Sequence, residues 1–203
     1  MSSRLEALQP VIRHLPEVIL PKRHVTFKEK LLWTTLICVI FFFLSEVSIF
    51  LPVGTATQQL ELFGNLRTIL ASSQGSIVEL GIGPIVTGGI VMQLLVGAGL
   101  INLDLSNHKD RALFQGTQKL LVILLTFFEA SMLAMAQYRA NPATNTIGFL
   151  IVMGQLSAGA ILILFMDEVV SKWGFGSGVS LFIAAGVSQR IIWEAISPIQ
   201  SEF

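Results

Sequence analysis

Charge is what this sequence has least of. Asp, Glu, Lys and Arg make up 13% of its 203 residues while 53% are hydrophobic, against about 25% charged in an ordinary soluble domain. That excludes a water-soluble fold and predicts several membrane crossings. Thirteen basic residues balance thirteen acidic ones, which argues against nucleic acid as a partner. Cysteine is nearly absent: Cys38 stands alone in an apolar run, so an internal disulfide or thiolate metal cluster is ruled out and the redox compartment stays open. His14, His24 and His108 all lie outside the apolar segments. No metal site, catalytic triad or cofactor site is expected. Met1 to Lys30 lacks the short hydrophobic core and cleavage site of a secretory signal. No glycine-rich nucleotide loop is present either, so any energy input must come from a partner.

What is there is a series of apolar segments. Residues 1–30 form an arm with Leu5, Leu8, Val11, Ile12, Leu15, Val18 and Ile19 at helical spacing. A helix over Ser3 to Leu20, broken near Pro16 and lying in the membrane interface, is expected; a solvated helix packed on a partner is the alternative. Spans are predicted over 31–51, 76–100, 115–138, 146–166 and 178–197, since about 20 apolar residues cross the hydrocarbon layer. Residues 52–75 form an external segment holding a short semi-apolar helix, too short to span. Polar connections are expected at Ile101 to Phe114, Arg139 to Asn145 and Asp167 to Ser177, the last as a tight hairpin. In the fourth span Gly148, Gly154, Ser157, Ala158 and Gly159 predict close helix contact.

Ser76 to Leu100 is the unusual stretch. It is apolar yet carries Gly81, Gly83, Pro84, Gly88 and Gly89, and a helix broken this way needs protein or water to satisfy the freed backbone. At 100° per residue Ile82, Val86, Gly89 and Gln93 fall within about 40° of one another. This stripe ends on what reads as a buried amide, with an interhelical hydrogen bond the simplest role for Gln93, and it faces something other than lipid. In the fifth span Val179, Ile183, Gly186 and Arg190 repeat the pattern. Of the carboxylates within the predicted spans, Glu46, near an end, reads as snorkelling to the headgroups, whereas Glu129 at mid-span costs roughly 2.5 to 3.5 kcal/mol on insertion scales and must face protein or water.

Ten Lys and Arg fall on one side of this arrangement and three, Arg67, Arg139 and Arg190, on the other. The arm is therefore expected in the cytoplasm, at a cell membrane if the source is prokaryotic, with the C-terminus outside.

The runs RTILASSQGSIVELGIGPIVTGGIVMQLL, KDRALFQGTQKLL and MDEVVSKWGFGSGVSLFIAAGVSQ resemble the SecY family, nearest its archaeal and eukaryotic branch, as do FKEKLLWT and the PEV of the arm. The resemblance covers essentially the whole chain. It implies an all-α membrane protein of five transmembrane helices, the first half of a ten-helix inverted-repeat channel, with an interfacial N-terminal helix and a plug helix. Spans six to ten are not in this chain. Ile82, Val86, Val179 and Ile183 match the hydrophobic pore ring. The helix around Glu61 to Ser73, with Leu62, Leu66, Arg67, Ile69 and Leu70, matches the plug. Thr87 and Glu129 match polar positions of the lateral gate. Arg67 is a surface cation of the plug or a gating contact; the residues do not decide. The implied function is passive conduction of unfolded secretory polypeptides, with lateral release of apolar segments into lipid. The implied partners are the second half, a SecE-like subunit and a third small membrane subunit, a ribosome or other driving partner, preproteins with their signal sequences, and lipid.

Two other classes compete. A secondary transporter suits a broken helix and an inverted repeat, but no cation matches Glu129 in depth. A membrane-embedded enzyme needs a base or metal ligands, and the spans hold no histidine.

Overall fold

The computed structural model describes residues 9–12, 15–21, 23–53, 55, 73, 75–101, 103 and 107–196. They form six helices: α1 (Gln9–Ile12), α2 (Phe27–Glu46), α3 (Gly83–Gly97), α4 (His108–Ala136), α5 (Thr146–Trp173) and α6 (Gly178–Ile196). The five longer helices alternate in direction, which gives the bundle an arm end, where the N-terminal segment lies, and a far end.

Helix α5 is the axis, packed against α2, α4 and α6, while α3 packs on α4. Its buried residues Gly148, Val152, Leu156, Gly159, Ala160, Ile163, Met166 and Val170 recur every three or four positions, the stripe a helix needs to bury one side. At about 1.5 Å per residue, the 29 residues of α4 and 28 of α5 run well beyond the roughly 30 Å hydrocarbon layer. Both are long and apolar enough to cross a membrane.

Local chemistry sets the helix starts. Thr26 and Glu29 form a reciprocal capping box on α2. Asn107 caps α4 by accepting from Lys109 N–H at 3.2 Å, and Asn145 caps α5 by accepting from Gly148 N–H at 2.9 Å.

Several boundaries differ from expectation. The arm is helical over Gln9–Ile12, but Leu15 to Leu20 is not helical: Pro16 cannot continue a helix, and the backbone beyond it bonds to α5 instead. Helix α2 stops at Glu46, short of Leu51, because the next residues pair as extended chain. Ile49 N–H donates to Gly75 O at 2.8 Å and Ile77 N–H to Val47 O at 2.9 Å. Helix α4 begins at His108, inside the expected connection, because Asn107 caps it there. Asp167 to Trp173 is helix rather than hairpin, which shortens the turn to residues 174–177. Gly176 supplies a φ of 70° there, and Asp167 reaches across it to accept from Val179 N–H at 2.8 Å, capping α6.

The largest departure is in Ser76 to Leu100. Residues 75–82 are not helical; successive i to i−3 bonds, including Gly81 N–H to Val78 O at 2.8 Å, carry the chain through tight turns. Gly81 has a φ of 56°, a left-handed conformation costly for other residues. Pro84 sits in the first turn of α3, where its missing N–H costs nothing. Helix α3 has 15 residues, about 22 Å, short of the roughly 30 Å hydrocarbon layer. That non-helical backbone is enclosed by protein, the condition lipid imposes.

Candidate functional site

The turn and α3 place the resemblance-derived residues. Ile82 is the N-cap residue of α3 and 1% exposed. It belongs to a buried cluster with Phe41, Ile85, Val122, Ile163 and Phe182, against which Val86, Val179 and Ile183 pack, all three half-buried. The four candidate ring residues, from the start of α3 and from α6, therefore share one hydrophobic cluster. Within it the rings of Phe41 and Phe182 lie tilted against each other with centroids 5.1 Å apart. Ile82 is wholly enclosed, whereas the other three keep open surface.

The two candidate gate positions lie on α3 and α4. Thr87 is exposed and donates its hydroxyl to Gly83 O at 2.9 Å. Glu129 is half-buried and flanks the same residue: a Cβ at Gly83 would stand 3.4 Å from Glu129 Oε2. Helices α3 and α4 touch most closely at Gly88, where a Cβ would fall 2.6 Å from the Val122 side chain. Gln93 is exposed, not buried. The face of α3 that packs on α4 runs through Ile85, Gly88 and Met92, and Gln93 stands about 100° round from Met92. Gly186 is half-buried on α6, and the Arg190 side chain lies outside the described residues. Of the fourth-span small residues, Gly148, Ser157 and Gly159 are buried while Gly154 and Ala158 are exposed. Gly159 admits not a helix but the turn, since a Cβ there would overlap the Ile77 carbonyl. The plug candidates Leu62, Leu66, Arg67, Ile69 and Leu70 lie outside the described residues.

A polar group the sequence reading passed over anchors the turn. Glu79 is 4% exposed; its carboxylate accepts from Gln137 Nε2 and Tyr138 Oη at the end of α4 and from Gly75 N–H at 3.2 Å. The cost argument applied to Glu129 would have flagged it, since it precedes the Gly-Ile-Gly-Pro break within an apolar run. Gln155 was missed as well. It accepts from Phe50 N–H at 2.8 Å and donates to Phe50 O at 2.9 Å, and Asn145 Nδ2 donates to Val53 O at 2.8 Å. These two side chains lay residues 50–53 along α5. Among the described residues no group of acidic, His and Cys side chains is arranged to hold a metal.

A family model described as SecY matches residues 76–202. This chain belongs to the SecY family. The model for the plug domain of Sec61p matches residues 39–75. The protein translocase subunit SecY of Methanothermobacter thermautotrophicus is 48% identical over 201 residues, covering 99% of this chain and 43% of that relative. A solved structure of a protein-conducting channel superposes with a TM-score of 0.81 at 43% identity, over 96% of this chain and 46% of the other. Sec61 in the canine ribosome-channel complex from the endoplasmic reticulum gives the same TM-score and identity. This SecY-family chain spans less than half the length of the relatives it matches.

Proposed function

We propose that the chain acts as the first half of the pore-forming subunit of a passive protein-conducting channel, with five membrane spans, α2 to α6, and the arm end in the cytoplasm. It passes unfolded secretory polypeptides and releases apolar segments sideways into lipid, without enzymatic chemistry of its own. The observation that carries this reading is that Ile82, at the N-cap of α3, and Val86, Val179 and Ile183, on α3 and α6, share one hydrophobic cluster, together with family membership. Branched aliphatic side chains around a constriction dewet or close on a passing chain, so they hold back ions without selecting substrate side chains. Residues 61–73 serve as the plug, and Thr87 and Glu129 border the lateral gate. The half-buried and exposed face of α3, with Ile90 and Leu94 at 51% and 66% exposure, is the side left for the second half of the channel and for lipid.

The partners of this reading are that second half, a SecE-like subunit, a third small membrane subunit, and a ribosome or other driving partner at the arm end. The ribosome finds support in the canine complex, where it is described for Sec61 itself. The test is conductance. With the complete channel reconstituted, Ile82→Gly combined with Val86→Gly should raise resting ion leak at least about tenfold, as expected when a hydrophobic constriction becomes wettable. An unchanged leak refutes the ring.

A further inference from the structure

Away from the ring and gate, the densest polar junction lies at the arm end. Glu168 of α5 accepts from Lys119 Nζ of α4 at 2.7 Å and from Lys172 Nζ of α5 at 2.7 Å. The three side chains are only 11%, 17% and 21% exposed for Lys119, Glu168 and Lys172, and Lys119 also stands 5.2 Å above the Phe165 ring. The N-terminal arm threads this junction. Val18 N–H donates to Glu168 Oε1 at 3.2 Å, Lys119 Nζ donates to Pro16 O, Lys172 Nζ to Val18 O at 2.6 Å, and Trp173 Nε1 to Ile19 O at 3.0 Å.

Each of these contacts to residues 16–19 uses the arm's backbone, so the junction recognises an extended chain at a fixed register rather than particular side chains. Lys119 is shared between Glu168 and the arm. A displacement of α4 along α5 therefore has to break the ion pair or carry the arm with it. Ten residues further along the same helix, about 15 Å, stands Glu129, and between them Val122 packs on Gly88 of α3.

We propose that Glu168 is a positioning residue: it fastens the arm across the ends of α4 and α5, and so sets the resting place of α4 and of the Glu129 position it carries. The arm is thus a strap that must loosen before α4 shifts. That this shift opens a lateral gate rests on the function proposed above; the strap itself does not.

The test uses the full-length channel with its partner subunits, comparing wild type, Glu168→Gln and Lys119→Arg. Cleavage after Glu17 by a glutamate-specific protease reports strap release in detergent without any transport, because the backbone on both sides of Glu17 is fastened in the resting state. Glu168→Gln should speed it about tenfold, because cleavage of a locally opened segment follows its open population, and it should let less apolar test segments insert sideways in proteoliposomes. Lys119→Arg keeps a cationic donor and should match wild type in both. Unchanged cleavage in Glu168→Gln overturns the anchor. Faster cleavage with an unchanged insertion threshold overturns the coupling. If wild type itself translocates nothing, the proposed function fails while the cleavage result still decides the strap. Lys172→Met provides the same two readouts should Glu168→Gln not accumulate.

Discussion

The two ends of this bundle each hold a carboxylate against backbone, and they do it with opposite chemistry. At the far end Glu79 is enclosed at 4% exposure and takes hydrogen bonds from an amide, a phenol and a backbone N–H. At the arm end Glu168 is less enclosed and is met by two lysines. In a fully buried setting a group without its hydrogen-bond partners is costly, and several short-range donors fix one geometry. The three charged side chains of the arm end keep 11–21% exposure, so water can reach them and take over their hydrogen bonds when the arm lifts. The far end is therefore built to stay, holding the turn that presents Ile82, while the arm end is built to be undone and remade.

Three substitutions test how far this contrast holds. The largest effect is expected from Gly159→Val. The Ile77 carbonyl occupies the space of a Cβ, and backbone cannot swing aside as a side chain can. Overpacking of a core costs typically 1–3 kcal/mol and sometimes more, so a loss of about 3 kcal/mol or more is expected. Thermal unfolding in detergent micelles should show it, and a near-wild-type midpoint would mean that the far end is compliant. Next comes Glu79→Leu, which removes the acceptor that Gln137 and Tyr138 share. A loss of about 2–4 kcal/mol is expected, measurable by the same unfolding, together with faster hydrogen exchange over residues 75–82 and little change at the arm. Smallest is Arg23→Ala. The Arg23–Glu29 pair is 2.7 Å long but 80% and 37% exposed, and an exposed pair contributes no more than about 1 kcal/mol. A shift above that would show that the periphery of the arm end is not as exchangeable as the contrast requires.

Sequence patterns were sufficient where an element repeats at its own period. The stripe of α5 repeats at the helical period from Gly148 to Val170, and its apolar character is visible in one dimension. The start of α3 was not. Gly81, Gly83 and Pro84 signalled a break, but whether the chain resumes helix at residue 76 or 83 depends on Ile77 docking on Gly159 and on Val47 to Ile49 pairing with Gly75 to Ile77. Those contacts join residues that lie far apart in the chain. Gln93 was misread for a related reason. Periodicity placed it on a stripe with Ile82, yet the close approach of Gly88 to Val122 turns a different face of α3 inward.

The arm makes the same point from the other direction. Apolar spacing suggested an interfacial helix to Leu20, but the spacing could not register that three carbonyls and an N–H of residues 16–19 have partners waiting on α4 and α5. Extended backbone has unpaired groups to satisfy, and tertiary contacts offered better terms than a proline-broken helix.

By itself the sequence determined the class of this protein, its apolar segments, the break before α3 and its family, because composition, period and motif are properties of neighbours in the chain. Only the tertiary structure decided which faces meet, that Ile82 is enclosed while Val86, Val179 and Ile183 keep open surface, and that Glu79 and Glu168 anchor opposite ends. Burial and hydrogen-bond partnership are set by residues as many as 154 positions apart, and no local pattern carries that distance.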